Sequence, residues 1–233
     1  MKLTVAFVVA SLLSMTSAVL VADDVNVLTE KEKADGWRLL FDGKTLNGWK
    51  PMGNAEDWAV EDGTIACLVK GGQYLLTTEQ FDDFILSIDY KIEKECNSGV
   101  FFRWGSLTSK LRGIEMQILD SYGKMTPDRH DAGAIFDILA PSKNMAKPAG
   151  EWNRAVLTCR DNLVQVDLNG QTVCEMDLNK WTTAGMNPDG TKNKFSVAFK
   201  DMPRKGYFGL QDHGGHVWFR NIKLKPLKVV HAK

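Results

Sequence analysis

The chain has 233 residues, and its 29 Lys and Arg residues balance 29 Asp and Glu residues, which gives a formal net charge of zero. This balance excludes a nucleic-acid-binding protein held by bulk electrostatics, because such proteins need a surplus of basic residues to displace counterions. Hydrophobic residues make up 44% of the chain and charged residues 25%, so it can bury a core and is not intrinsically disordered.

The amino terminus has the pattern of an export signal. Lys2 supplies a positive charge, residues 3–13 are largely apolar, and small residues follow. We expect residues 1–22 to be a signal peptide and residues 23–233 to be one mature domain. That domain would work in the periplasm or outside the cell, with no membrane partner after cleavage. An uncleaved membrane anchor is the alternative, which the short apolar stretch disfavours.

Strand signals dominate the rest of the chain. One short helix is predicted at 29–34, with Thr29 as its cap and Glu32 in the capping-box position. Asp62-Gly63 has the composition of a two-residue hairpin turn, and residues from Phe84 to Ile92 alternate between apolar and mostly polar. Further strand patterns lie at 58–61, 64–67, 100–104, 114–119, 134–137, 155–159, 207–211 and 217–224.

These strands predict an all-β fold. Turn residues separate the strands at intervals typical of a sandwich, and neither a repeat nor a linker divides the sequence. We expect a single two-sheet antiparallel jelly-roll sandwich with a short N-terminal helix. Residues 121–150 and 180–206 lack strand patterns. Loops of this length are usually functional, and we expect them to rim a cleft over one sheet.

The four cysteines leave the disulfide state open. In the meander predicted over residues 154–178, Cys159 and Cys174 point to opposite faces, so they should not bond. A disulfide between Cys67 and Cys96 and free buried thiols are both compatible with the sequence of an exported protein.

Three of the predicted strands carry polar residues where a core would not require them. By alternation, these side chains are expected on the side of each strand that faces away from the core. If the strands are neighbours, one sheet face holds a carboxylate, a guanidinium, an imidazole and amides, which suits the hydroxyls of a sugar. The alternative is an ordinary solvated face. The residues are Asn97, Arg103, Glu115, Gln117, Gln211 and His213.

The tryptophans divide into two groups. Three lie in or beside apolar patterns and are expected in the core, namely Trp37, Trp58 and Trp218. Three others border loops and are candidates for stacking on sugar rings, namely Trp104, Trp152 and Trp181.

Metal patterns in the sequence are weak. His213 and His216 lie three residues apart on a Gly-Gly turn, where shared coordination is not implied. An acidic cluster around His130 is more typical of a solvated loop. We expect no cofactor, and the sequence leaves a structural or catalytic divalent metal open.

Nine short blocks occur in a distinctive order over residues 29–227. They include GWRLLFDGKTLNGW from residue 36, NSGVFFR from 97, GIEMQILD from 113, AGAIFD from 132, GEWN from 150 and FRNI from 219. Together they resemble the 3-keto-disaccharide hydrolase family. The resemblance implies a concanavalin A-like jelly roll, export, and action on 3-keto-glycosides. Phe136 stands where many members have Tyr.

That substrate class assigns roles to the polar face. A ketone at C3 acidifies the C2 hydrogen, so a base can remove it, the oxygen at C1 can leave, and water can add to the enone. Glu115 is the candidate base, His213 the proton donor, and Arg103 would hold the oxyanion with Gln117. The residues expected to bind the substrate are Asn97, Trp104, Gln117, Asp137, Trp152 and Gln211.

Two other functions stay open. A conventional glycosidase would pair Glu115 with Asp120 or Asp137. A non-catalytic carbohydrate-binding module would use the same fold. In each case the expected partner is an oligosaccharide or a keto-glycoside. For the keto-glycoside, an upstream sugar oxidoreductase could supply the ketone.

Overall fold

The computed structural model describes residues 25–68, 73–106 and 113–227. The predicted signal peptide lies outside these residues. Within them, no helix is both long and apolar enough to cross a membrane. The elements are α1 (Glu30–Ala34), β1 (Arg38–Leu39), β2 (Trp49–Met52), β3 (Trp58–Glu61), β4 (Thr64–Cys67), β5 (Gln73–Thr77), β6 (Phe84–Ile92), β7 (Asn97–Trp104), β8 (Ile114–Leu119), β9 (Asn153–Arg160), β10 (Leu163–Leu168), β11 (Gln171–Asp177), β12 (Tyr207–Asp212) and β13 (Val217–Pro226).

The strands form two antiparallel sheets. The eight-stranded sheet has the order β11-β10-β9-β6-β13-β4-β3, with β1 paired to β13 beside that path, and the five-stranded sheet has the order β2-β5-β12-β7-β8. One large apolar cluster joins them, with Leu75 and Val100 from the five-stranded sheet and Leu86 and Phe219 from the other. The predicted two-sheet sandwich with a short N-terminal helix is confirmed.

Local signals account for the ends of several elements. The Thr29 hydroxyl accepts the Glu32 N–H at 3.1 Å, and the Glu32 carboxylate accepts the Thr29 N–H at 2.8 Å, which is the predicted capping box. Asp62 and Gly63 both have positive φ, 47° and 73°, as a two-residue hairpin between β3 and β4 requires. The alternating segment becomes β6, whose apolar face is buried in the core.

One predicted strand is not formed. Residues 134–137 make only isolated bridges, in which Ile135 pairs with Met116 of β8 and with Leu139. Two hydrogen bonds to Gln117 and one to Glu115 hold this segment along the outer edge of β8. It is therefore a short extension of the five-stranded sheet.

All four cysteines are buried and free. Cys159 pairs with Val164, as predicted, but Cys174 pairs with Val166, because β11 has a bulge next to that pair. Val164 and Val166 are two residues apart and point to the same face, so the prediction that Cys159 and Cys174 face opposite ways is wrong.

Candidate functional site

The outward face of the five-stranded sheet carries Glu115 and Gln117. Both lie on β8, on either side of the core-facing Met116, and they pair with Phe101 and Gly99 of β7. Because side chains alternate along a strand, both polar side chains point away from the space between the sheets. The sequence placed them on this face as well.

Gln211 joins the same face from β12. Leu210 pairs with Val100 of β7, so the next residue, Gln211, lies in line with Gly99 and, beyond it, with Gln117. Gly99 has no side chain. The two glutamines therefore stand on either side of an open position in the middle strand.

The Glu115 carboxyl group occupies that open position. A methyl group on Gly99 would collide with Oε1 of Glu115 and would lie 3.0 Å from its Cγ and 3.1 Å from its Cδ. The carboxylate therefore lies across Gly99, between the strands that carry Gln117 and Gln211.

These polar side chains are buried, although they face outward. Glu115 is 7% exposed, Gln117 2% and Gln211 8%. The amide Nε2 of Gln117 donates to Oδ1 of Asn97 at 3.1 Å. Among the described residues, Oε1 of Gln117 and Oε1 of Gln211 have no hydrogen-bond partner. Leaving a buried amide oxygen unpaired costs about 1–3 kcal/mol, so these two acceptors favour a site for a ligand that brings hydrogen-bond donors.

An aromatic cluster adjoins the polar group. Tyr74 packs edge-on against Phe101 and Trp104, with ring centroids 5.2 and 5.1 Å apart. The Trp104 Nε1–H donates to the Ser106 carbonyl at 3.0 Å. Trp104 is therefore on the predicted face. Because it is only 2% exposed, it packs beside the polar group and does not offer an open surface on which a sugar ring could stack.

Arg103 is not on this face, which corrects the sequence prediction. β7 has a bulge at this point, where Phe102 and Arg103 oppose a single residue of β12, and Arg103 has a φ of 55°. The bulge breaks the alternation. The Arg103 side chain is fully buried, and its Nη2 lies 3.5 Å from Oδ1 of Asp83, just before β6 of the other sheet. Burial lowers the pKa of Arg103.

Trp152 lies on the opposite side of the sandwich. It precedes β9 of the eight-stranded sheet, and the Arg220 guanidinium covers its ring at 3.9 Å, with the Lys91 ammonium at 5.2 Å. The prediction that Trp152 positions a sugar together with Glu115 is wrong, because a position beside a loop does not tell which side of the sandwich the side chain faces. Trp181 is buried and donates its Nε1–H to Asn187 at 3.0 Å, so it is a core residue.

His213 is exposed and follows the end of β12, two residues beyond Gln211. Gln211 is level with Gly99, over which the Glu115 carboxylate lies, so His213 lies about 7 Å further along the sheet. Its role as proton donor stays a prediction.

Comparison with known proteins identifies the relatives of this chain. Residues 36–225 match the profile of the 3-keto-alpha-glucoside-1,2-lyase-like domain. The chain belongs to this family. A 3-keto-disaccharide hydrolase of Bacteroides thetaiotaomicron is 31% identical over 230 residues, which covers 83% of this chain and 79% of that protein.

Solved structures agree with the assignment to the lyase-like family. A crystal structure from Parabacteroides distasonis, provisionally named a glycosyl hydrolase, is 33% identical with a TM-score of 0.74 and covers 82% of this chain and 99% of its own. A second from that organism, with the same provisional name, is 29% identical with a TM-score of 0.73 and covers 88% and 100%. The function of this chain is therefore glycoside hydrolase-like.

This member of the lyase-like family has a further cluster beside β8, in a loop for which the sequence predicts a solvated surface. The Phe136 N–H donates to the Glu115 carbonyl at 3.0 Å. The ring of His130 contacts the Phe136 ring edge-on at 5.0 Å, and the Lys194 ammonium lies 3.8 Å from the centre of that ring. Asp137 accepts the Lys194 backbone N–H at 2.8 Å. The predicted substrate-binding residue Asp137 is thus next to the polar face.

The two long loops meet at this cluster. Arg129 of the first loop donates to the Lys192 carbonyl of the second at 3.3 Å. They therefore lie together beside β8, as expected for loops that rim one sheet. Across the three described stretches of chain, no group of three or more His, Cys, Asp and Glu residues is arranged to hold a metal ion.

Proposed function

We propose that this chain cleaves the glycosidic bond of 3-keto-glycosides by removing the proton at C2, eliminating the oxygen at C1 and adding water to the enone. Family membership and a relative named 3-keto-disaccharide hydrolase support this proposal. The observation that carries it is the buried group of Glu115, Gln117 and Gln211, in which two amide oxygens lack partners among the described residues.

Glu115 is the proposed base. A C3 ketone makes the C2 hydrogen acidic, and a carboxylate positioned within reach of that hydrogen can contribute about 10²–10⁴-fold to the rate. The Glu115 side chain extends from β8 and lies over Gly99 of the neighbouring strand β7. A sugar ring laid on this face would therefore meet the carboxylate at a defined height and angle.

The two glutamines are the proposed binding groups. Their unpaired oxygens would accept hydroxyl hydrogens of the sugar, and the Gln211 amide could donate to the enolate oxygen as charge develops on it. Arg103 has no part in this proposal, because it faces Asp83 inside the sandwich. Asn97 supports Gln117 through its 3.1 Å hydrogen bond.

The proposal extends to the surroundings of the enzyme. We propose that residues 1–22 direct export to the periplasm or the medium. An oxidoreductase must act before this enzyme, because the C3 hydroxyl of an ordinary sugar has to be oxidised before its C2 hydrogen becomes acidic. The steps assigned here are proton transfers and a bond cleavage, and we propose no cofactor for them.

The test is an assay of residues 23–233 with 3-keto-trehalose and with unoxidised trehalose, followed by mass spectrometry. The proposal predicts release of 3-keto-glucose from the first substrate only. Glu115→Gln should lose this activity. The control Glu175→Gln, at an exposed position of β11, should keep full activity. Cleavage of unoxidised trehalose at a similar rate would indicate a conventional glycosidase. Binding of either sugar without turnover would indicate a carbohydrate-binding module.

A further inference from the structure

His130 is brought to the edge of β8, the strand that carries Glu115, by backbone pairing rather than by sequence proximity. Ile135 pairs with Met116 and is 1% exposed in the core, so the next residue, Phe136, points to the outward side. The Phe136 N–H donates to the Glu115 carbonyl, and the His130 ring packs against the Phe136 ring. The imidazole therefore lies at the β8 edge of the face that carries Glu115.

The His130 ring is held between two carboxylates. Its Nε2 lies 3.4 Å from Oδ1 of Asp137, and its Nδ1 lies 3.4 Å from Oδ1 of Asp128. Asp137 is fixed in turn, because its Oδ2 accepts the Lys194 N–H and its own N–H donates to the Arg129 carbonyl at 2.9 Å. The Asp137 side chain is 17% exposed, whereas that of His130 is 52% exposed. Asp137 is thus a fixed carboxylate that contacts one nitrogen of the exposed His130 ring. This arrangement orients a histidine for proton transfer.

We propose that His130 donates the proton to the leaving oxygen and that Asp137 is its positioning residue; this rests on the proposed function of the site. Glu115 takes the C2 hydrogen as a proton, and the electron pair of that bond forms the C2–C3 double bond of an enolate. When the C3 ketone re-forms, that electron pair becomes the C1–C2 double bond, and the C1–O bond breaks with its electrons on the departing oxygen. With Nε2 held by Asp137, the imidazolium of His130 gives its Nδ1 proton to the departing oxygen, which takes the place of the exposed Asp128 carboxylate at that nitrogen, and the ring becomes neutral.

The second half of the reaction returns both groups to their starting states. Water adds to C1 while neutral His130 takes one of its protons, and Glu115 gives its proton back to C2. The overall change is hydrolysis, and no oxidant or reductant is needed. A second acid-base group is required here because Glu115 already holds the C2 proton when the leaving oxygen needs one.

The position of His130 favours it over His213 for this role. The His130 ring is flanked by two carboxylates and contacts Phe136, whose N–H donates to the Glu115 backbone carbonyl, whereas His213 lies beyond the end of β12, two strands from β8. The charged groups that face the His130 ring are Asp128 and Asp137, with the Lys194 ammonium on the Phe136 ring that it shares.

The test uses leaving groups of different acidity. 4-Nitrophenolate is a stable anion and leaves without being protonated. The glucose that leaves 3-keto-trehalose needs an acid to protonate its oxygen. We expect His130→Asn to lower kcat/KM about 100-fold or more on 3-keto-trehalose and less than about 5-fold on 4-nitrophenyl 3-keto-glucoside. Asp137→Asn should show the same selectivity with a smaller loss. His216→Asn, in the turn just before β13, is the matched control and should leave both rates unchanged.

Exchange of the C2 hydrogen in D2O separates this inference from the proposed function. His130→Asn should still exchange C2 hydrogen with solvent, because Glu115 remains, while Glu115→Gln should not. Equal losses on both substrates in a folded His130→Asn protein, or selectivity in His213→Asn instead, would overturn the role of His130. No turnover of either keto-substrate by the wild-type protein would overturn the proposed function and this inference with it.

Discussion

The Glu115 side chain lies across the α-carbon of Gly99, its diagonal neighbour on the adjacent strand. Gly99 does not have the positive φ that commonly explains a glycine, so its role here is to provide space. The absence of one side chain in the middle strand allows a carboxylate to lie low on the sheet, where two glutamine amides flank it. This relationship makes the candidate site sensitive to a single added carbon.

Gly99→Ala should impair catalysis without removing any polar group. The new methyl group would collide with the Glu115 carboxylate, and displacement by about 1 Å is enough to cost about 10²-fold. We expect a fall of at least about 10-fold in kcat/KM on a 3-keto-disaccharide, measured beside the thermal unfolding midpoint. Unchanged activity in a folded variant would show that the position of Glu115 does not matter.

Gln211→Leu should separate stability from function. The substitution removes an amide oxygen that is buried without a partner among the described residues, so the free energy of unfolding should stay level or rise by about 1 kcal/mol. The same change should raise KM or lower kcat, because a sugar hydroxyl loses its acceptor. Urea unfolding and steady-state kinetics measure the two effects.

Gln117→Leu is the matched comparison for that experiment. It also removes the donor that bonds to Asn97, so it should gain less stability than Gln211→Leu. A marked loss of stability in Gln211→Leu, with kinetics unchanged, would mean that this amide serves the fold rather than a ligand.

Arg103 and Asp83 should contribute to stability and not to catalysis. Asp83→Asn leaves a buried guanidinium without its carboxylate, which costs about 3–5 kcal/mol, whereas Arg103→Met removes the charge and should cost less. The free energy of unfolding from urea titration checks the difference. A loss of turnover in Arg103→Met at unchanged stability would return Arg103 to an electrostatic role at the site.

The buried thiols should make the protein less stable at alkaline pH. Burial raises the pKa of Cys159 to about 12, and likewise that of Cys174 to about 12. The folded state keeps these protons while the unfolded state loses them above about pH 8.5, so stability falls as the pH rises. Each thiol should cost about 1–2 kcal/mol between pH 7.5 and pH 10, measured by urea unfolding.

Thiol reactivity provides a second readout of the same feature. At pH 8.5 the native protein should not react with Ellman's reagent at Cys159 or Cys174, and both should react in urea. Rapid modification of the folded protein, or equal stability at both pH values, would contradict the burial of these groups.

Local sequence signals predicted the elements, and alternation predicted half of the site. The dipeptide Asp62-Gly63 correctly predicted the hairpin between β3 and β4. The alternation of Glu115 and Gln117 with apolar neighbours correctly predicted the face of the sheet on which they lie. Two of the failures have a common cause, since a bulge shifts every later side chain by one position. Arg103 and Cys174 both lie at such irregularities, which leave no reliable pattern in a single sequence.

Other parts of the site depend on long-range pairing. A position beside a loop does not tell which side of the sandwich a side chain faces, so the prediction for Trp152 is wrong. His130 reaches the edge of β8 only because residues 133–136 pair with that strand and Phe136 contacts the His130 ring. Such contacts between loops and strand edges carry no periodic signal.

The most direct test is a crystal structure of the Glu115→Gln protein with a 3-keto-disaccharide. The account predicts a sugar ring on the outward face of the five-stranded sheet, above Gly99, with C2 within about 3.5 Å of the substituted side chain and hydroxyls on Gln117 and Gln211. A sugar bound instead against Trp152 and Trp218 of the eight-stranded sheet would contradict it.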